Sequence, residues 1–323
     1  MSMLSKPYFH DEAAAFEHVE HLLWPEGPVC PHCGGMDRVY DLKGVRSKPS
    51  KKNPEGVERH GLKKCGHCRK QFTVRIGTIF EESHIPLHKW LQAVYLMTSS
   101  KKGISANQLH RTLEITLKSA WFLAHRIREA MKSDGGPLGG EGVTVEADET
   151  YIGNRKGNKM QDVFVNGKGF VKRGGGRNQM KIVTLVERGG RAKSMRVHSI
   201  TANAVRDVLV KNADRRSDLM TDEANVYKRV GKAFASHQSV NHSDGQYGRG
   251  IVHTNTIEGY FSIFKRGMKG IYQHCAEHHL DRYLAEFDFR YSNRVATGVN
   301  DEARAIRALI GFKGKRLTYN QPA

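Results

Sequence analysis

Four cysteines, three carboxylates and a lysine carry most of the chemistry this chain offers. Cys30-Pro31-His32-Cys33 and Cys65-Gly66-His67-Cys68 form two CxxC knuckles. A CxxC turn lets two sulfurs reach one ion, and four thiolates suit tetrahedral zinc. A closed four-sulfur shell leaves no position for water, so a single zinc on Cys30, Cys33, Cys65 and Cys68 is expected to be structural. It would fold a block too small to hold itself together. His32 and His67 then read as bystanders or as groups facing outward from the knuckles.

The carboxylates stand in three different local settings. Asp148 follows the apolar alternation Val143-Thr144-Val145-Glu146-Ala147, and Asp222 ends the short run Asp218-Leu219-Met220-Thr221. Both are read as lying at strand ends. Glu258 opens a helix-like stretch, with Asn255 three residues before it and Lys265 seven residues after it. At about 100° per residue, seven residues make close to two turns, so Glu258 and Lys265 share a helix face. Such groups could hold two divalent ions about 4 Å apart, the arrangement that activates a water or 3′-hydroxyl in phosphodiester chemistry. Mg²⁺ suits it, with Mn²⁺ as a substitute, because it takes few carboxylates and keeps waters that a substrate displaces. Each residue also has a plainer reading. Asn255 and Glu258 could form an N-cap box, Asp148 and Asp222 could be turn formers, and Lys265 with Arg266 could be a solvated face.

These groups need elements to position them. The 323 residues suffice for two or three modules with real cores. A helix is expected at 11–23, followed by the cysteine region to about residue 80. A helical segment spans 84–132, a Gly-rich linker follows at 134–140, and strands and helices alternate from about 142 to 300, an α/β pattern. Residues 301–323 read as a C-terminal tail. Strands are predicted at 143–152, 181–187, 193–200, 217–221 and 233–240, and helices at 202–213, 224–231, 255–266 and 277–293. Three consecutive strands before the first helix imply a meander feeding a mixed sheet. Two basic stretches, 43–64 and 154–179, read as loops. The second includes Lys172, Arg173 and Arg177 and suits tracking of a nucleic-acid backbone.

A formal net charge of +19 and a pI near 9.8 favour polyanionic partners. No stretch has the length and apolarity of a membrane span or the pattern of a surface anchor, which leaves nucleic acid as the expected partner and no membrane. The N-terminus lacks the apolar core of a signal peptide, and the CxxC pairs suit a reducing compartment, so a cytoplasmic location is expected. Within 84–132, Ser105 and Gln108 fit a capping box, and a short turn at 114–116 leads to a longer helix. One face of that helix carries Leu117, Ala120, Trp121, Ala124, Ile127 and Met131, and the other offers Lys118, His125, Arg126 and Arg128. The pattern matches a DNA-binding helix-turn-helix or a plain helical connector. Cys275, His278 and His279 could share a helix face, although packing is the favoured reading there.

Residues 77–90 (GTIFEESHIPLHKW), 95–105 (YLMTSSKKGIS) and 253–267 (HTNTIEGYFSIFKRG) resemble bacterial insertion-sequence transposases of the IS1595 family, with its ISXO2-like transposase domain. The similarity runs from the CxxC region to about Arg294, and residues 279–291 look like the family's closing helix. The resemblance implies an RNase H-like mixed-sheet catalytic domain behind a zinc ribbon. It also implies metal-dependent cleavage at element ends and strand transfer into target DNA. By position, Asp148 matches the first catalytic aspartate and Asp222 the second. The third is Glu258 or Asn255, and Glu258 stands the usual distance before Lys265, which would contact DNA near the scissile phosphate. Double-stranded DNA, both terminal repeats and target, is the implied partner, bound by a homo-oligomer at the nucleoid. Two rival readings are a zinc-dependent regulator derived from a transposase and an RNase H-like nuclease that cuts without joining.

Overall fold

The structure is a computed structural model that describes residues 2–51, 53–132, 135–153, 161–165, 168–172, 179–241 and 250–318. The chain divides into two compact units, Met1–Ser133 with Val299–Ala323, and Asp134–Gly298.

In the first unit, helix α1 (Glu12–Leu23) starts where Asp11 accepts a hydrogen bond from the Ala14 N–H. Three short strands follow, β1 (Val39–Asp41), β2 (Lys63–Cys65) and β3 (Gln71–Phe72), antiparallel in that order. The stretch between the knuckles, read as a basic loop, is a loop tied back on itself. Ser47 N–H bonds to Val57 O at 2.8 Å and Arg59 N–H to Val45 O at 2.8 Å, around an Arg46–Glu58 bridge. Backbone pairing of its two arms outweighs its basic, polar composition.

Helices α2 (Leu87–Ser99), α3 (Ala106–Leu113) and α4 (Leu117–Met131) then form. The side chain of Ser105 accepts from Gln108 N–H, and that of Thr116 from Ser119 N–H, satisfying first-turn donors of α3 and α4. Glu114, at φ 52°, supplies the left-handed residue that reverses the chain between them. α2 begins at Pro86, which has no side-chain acceptor. Glu12 of α1 replaces it, accepting from Leu87 N–H at 2.7 Å and His88 N–H at 3.1 Å.

The second unit holds β4 (Thr144–Ile152), β5 (Gln161–Val165), β6 (Lys168–Lys172), β7 (Met180–Glu187), β8 (Ala192–Val197), α5 (Ala202–Asn212), β9 (Asp218–Thr221), α6 (Asn225–Gly231), β10 (Ser236–Ser239), α7 (Asn255–Gly267) and α8 (Leu280–Ser292). Five strands form one mixed sheet in the order β10-β9-β4-β7-β8. β4, β7 and β8 pair antiparallel, as the expected meander, while β9 and β10 add in parallel. β5 and β6 make a separate antiparallel pair inside the stretch expected to be a basic loop.

Alternation along the strands sends side chains to two helical layers. Val145, Ala147, Val183 and Leu185 pack with Val205, Leu209 and Tyr227 from α5 and α6. Ile152, Ile182 and Val186 pack on the other face with Ile257, Phe261 and Phe264 of α7 and Leu284 and Phe287 of α8. The predicted helix over 277–293 is shorter here, because residues 277–279 form a separate 3-10 turn. Cys275 precedes that turn, so Cys275, His278 and His279 do not share one helix face.

Beyond the second unit the expected tail is a helix, α9 (Asp301–Ile310), opened by Asn300, which accepts from Ala303 N–H. It belongs to the first unit, where Arg304 donates to Thr98 O at 3.1 Å. Phe312 follows it and packs with Phe80 and Trp90 at ring distances of 5.0 and 6.4 Å. Burial of Phe312 is what makes this segment part of a core. Among the described residues no helix is long and apolar enough to cross a membrane.

Candidate functional site

The ribbon cysteines converge. Cys30 and Cys68 sulfurs lie 3.6 Å apart, those of Cys33 and Cys65 lie 3.5 Å apart, and all four fall within 4.8 Å of one another. A zinc tetrahedron with Zn–S near 2.3 Å has sulfur–sulfur edges of about 3.8 Å, whereas a disulfide bond is about 2.05 Å. The quartet therefore fits one zinc ion. Gly34 at φ 76° and Arg69 at φ 60° turn the chain after each pair. Backbone N–H groups of Cys68 and His67 draw the Cys65 thiol down to about 6, while Cys33, despite a backbone hydrogen bond from Gly35, is pushed up to about 11 by sharing its proton with Cys65. His67 is exposed and sits 2.7 Å from Asp37, outside the quartet.

The acidic cluster is looser. β4 runs nine residues with Asp148 at its middle rather than at its end. The strand that ends there is its neighbour. β9 pairs with β4 only along Thr144–Glu146 and stops at Thr221, so Asp222 leaves the sheet beside Asp148. Asp222 Oδ1 accepts from Ala224 N–H at 3.0 Å, which fixes the turn into α6. Glu258 projects from the first turn of α7, where Thr254 Oγ1 donates to its Oε1 at 3.3 Å. Burial raises the Asp148 carboxyl to about 8, and the charges of Asp222, Glu149 and Glu258 push it the same way. The three carboxylates picked from the sequence are thus brought into one electrostatic neighbourhood. Among the described residues, only the cysteines draw their ligand atoms within 4.8 Å. The donor set still fits a hard divalent cation, which accepts a few carboxylates and completes its shell with water.

The N-cap box of Asn255 and Glu258 does not form. Asn255 is the first residue of α7, and Thr254 stands at the cap without capping through its side chain. The acceptor comes from elsewhere. Glu146, fully buried on β4, takes the Ile257 N–H on Oε2 at 2.9 Å and the Arg188 Nε on Oε1 at 2.7 Å. Arg188 also donates to Ile251 O and His253 O.

Sequence reasoning passed over Glu146, Arg188, Glu149 and Tyr227. Tyr227, buried on α6, donates to Glu149 Oε2 at 2.6 Å, and burial raises the Glu149 carboxyl against that bond. The available signal was charge at inward positions of an apolar strand, at 146 and in the Asp148-Glu149 pair.

The basic groups divide. Lys118 is exposed near the start of α4, beside the part-exposed Leu117 and Trp121. Arg126, Arg128 and His125, expected on an open basic face, are buried. The Arg126 guanidinium lies 5.3 Å from the Trp90 ring and 5.6 Å from that of Phe122, and donates to Glu81 O at 2.6 Å. Stacking on aromatic faces draws this cation into the core. Lys265 and Arg266 are exposed near the end of α7. Lys172 ends β6, while Arg173 and Arg177 lie outside the described residues.

Comparison with known proteins follows these divisions. Residues 10–71 match the transposase zinc-ribbon domain, and residues 137–292 match the ISXO2-like transposase domain of IS1595 elements. A protein of Halobacterium salinarum, described as an uncharacterized protein in transposable element ISH50, is 25% identical over 293 residues, covering 87% of this chain and 91% of that one. Among solved structures, a simian T-cell lymphotropic virus intasome in complex with PP2A regulatory subunit B56 gamma aligns at 12% identity and TM-score 0.29. That alignment covers 62% of this chain and 65% of the other. The chain thus carries both a zinc ribbon and an ISXO2-like transposase domain of the IS1595 family.

Proposed function

We propose that this protein cleaves DNA at the ends of an insertion sequence and joins the freed ends to target DNA. The observation that supports this reading is that Asp222, from the end of β9, and Glu258, from α7, both act by charge on the buried carboxyl of Asp148 on β4. The strand arrangement supports an RNase H-like fold, with three antiparallel strands followed by two parallel ones and the first strand at the centre. Asp148, Asp222 and Glu258 are the residues that would hold Mg²⁺, or Mn²⁺ in its place. Bound divalent ions would supply charge for the attacking and leaving oxygens of an in-line displacement.

The protein's own groups do the rest. Asp148, raised by burial and neighbouring charge, is the group that would give up a proton if a divalent cation were held there. Glu258 is preferred to Asn255 as the third member, because its charge reaches Asp148 and Thr254 orients its carboxylate. Lys265 and Arg266, further along α7, would hold phosphates of the bound strand. The ribbon and the α3–α4 pair would read terminal repeats, with Lys118 on a phosphate, and the 154–179 stretch would follow the backbone. Two ends must be handled together, which calls for a homo-oligomer on double-stranded DNA at the nucleoid.

An oligonucleotide assay with flanking repeats tests the reading. Wild type should cleave the end and join it to target in Mg²⁺, while Asp148→Asn and Asp222→Asn should do neither. Joining that survives Asp148→Asn sinks the catalytic assignment. Cleavage without joining, even from a pre-cleaved end, would favour a nuclease. DNA binding with neither reaction would favour a regulator.

A further inference from the structure

We infer that Glu146 is a positioning residue for the acidic site. It caps α7 from β4 and so sets the distance between Glu258 and Asp148. This rests on the proposed metal-binding role of those carboxylates. The first N–H groups of a helix have no partner within it, and a cap side chain ordinarily accepts from the second or third. In α7 the third residue is Ile257, and its N–H goes to Glu146 at 2.9 Å. The local candidate, Thr254, is otherwise engaged, donating to Glu258. Ile257 is the immediate neighbour of Glu258, so the cap acts one residue from the group it places.

The strand side is equally direct. Glu146 and Asp148 lie two residues apart on β4 and therefore leave the same face. One short piece of strand carries both an acidic ligand and the cap for the helix bearing another. Arg188, next after β7, fixes the cap. Its Nε bonds Glu146 Oε1 at 2.7 Å, and its other nitrogens bond Ile251 O at 2.7 Å and His253 O at 2.9 Å. The chain entering α7 is thus pinned at residues 251, 253 and 257. A carboxylate fully shielded from water is costly unless paired, and here both oxygens are used. Outer partners that orient metal ligands typically change metal affinity about 10–100-fold when lost.

The test uses the zinc-loaded full chain without DNA, titrated with Mn²⁺ while free ion is measured by electron paramagnetic resonance. A paired Glu146→Met, Arg188→Met variant removes the cap without stranding a buried charge, which protects folding. It should melt cooperatively yet bind Mn²⁺ about tenfold more weakly or worse. Glu146→Gln retains an oxygen for the Ile257 N–H and should stay within about threefold of wild type. The Ile257 amide should be protected from hydrogen exchange in wild type and in Glu146→Gln, and should exchange fast in the paired variant.

A folded paired variant with wild-type Mn²⁺ affinity overturns the inference, as does a Glu146→Gln protein that loses as much as the pair. Fast exchange at Ile257 in wild type overturns it without any variant. Asp148→Asn and Asp222→Asn serve as controls. If they bind Mn²⁺ as well as wild type, the metal-binding reading has failed, whatever the Glu146 variants do.

Discussion

The register of the parallel β4–β9 pair, carried two residues past Glu146–Met220, sets Asp222 beside Asp148, and the two carboxylates repel across the end of β9. Burial and this repulsion lift the Asp148 carboxyl from an ordinary 3.8 to about 8. A carboxyl raised on folding stabilises the protein fully below its unfolded value and loses that contribution as pH rises through its folded value. Metal-free protein should therefore lose stability between about pH 4 and pH 8. Asp148→Asn should flatten that fall and raise the melting temperature at pH 8, by about 2–4 °C for each kcal/mol relieved. Mn²⁺ affinity should rise over the same window, because the cation displaces the proton. Melts from pH 4 to pH 9 with and without Mn²⁺ check both. A wild-type profile parallel to that of Asp148→Asn would refute the assignment.

Glu149 depends on Tyr227 in a similar way. The phenolic donor holds its carboxyl down against burial. Tyr227→Phe removes the donor and leaves a largely enclosed acceptor, at about 1–3 kcal/mol. Urea denaturation at pH 7 should show that loss, and the Glu149 titration, followed by carboxyl NMR, should move upward. A downward or absent movement would mean that the hydrogen bond does not govern this group.

Much of this layout was legible in the chain because it follows from period and punctuation. The alternation at 143–152 became β4, and Ser105 capped α3 as its spacing implied. The cysteine quartet is legible for the same reason, since a tight turn imposes its own geometry. Tertiary decisions were not local. Nothing in the sequence around Arg126 says that Trp90 will take its guanidinium into the core. The cap of α7 was misplaced because the acceptor comes from residue 146, over a hundred residues away, rather than from the local Asn255. Asp148 was read as a strand end, yet β4 runs on past it: pairing with β9 stops at Glu146, while pairing with β7 continues to Ile152.

The division between exposed Lys118 and buried Arg126 predicts two different phenotypes. Lys118→Ala should weaken binding to any duplex and reduce the slope of log affinity against log salt by about one. Its melting temperature should not change. Arg126→Ala should cost about 1–3 kcal/mol of stability through lost stacking and a stranded Glu81 carbonyl. The salt slope of the fraction that remains folded should match wild type. Fluorescence anisotropy at several salt concentrations, paired with thermal melts, separates the two. A lower salt slope in folded Arg126→Ala would return that residue to the DNA face.

Zinc should hold the ribbon and little else. Its neighbourhood has a small apolar core, Cys30, Cys65 and Phe72 with Trp24, Val39 and Ile76 against them, so the sulfurs supply much of the closure. Chelation, or Cys65→Ser, should lower zinc from one ion per chain and abolish protection from hydrogen exchange across β1, β2 and β3. Strands β4 and β7 rest on apolar layers of their own and should keep their protection. Mn²⁺ binding at the acidic cluster should survive as well, since none of its residues lies in the ribbon. Metal analysis alongside exchange mass spectrometry makes the comparison. Loss of protection in β4 on chelation would show that the ribbon's metal stabilises the five-stranded sheet too, and the two sites could no longer be treated as energetically separate.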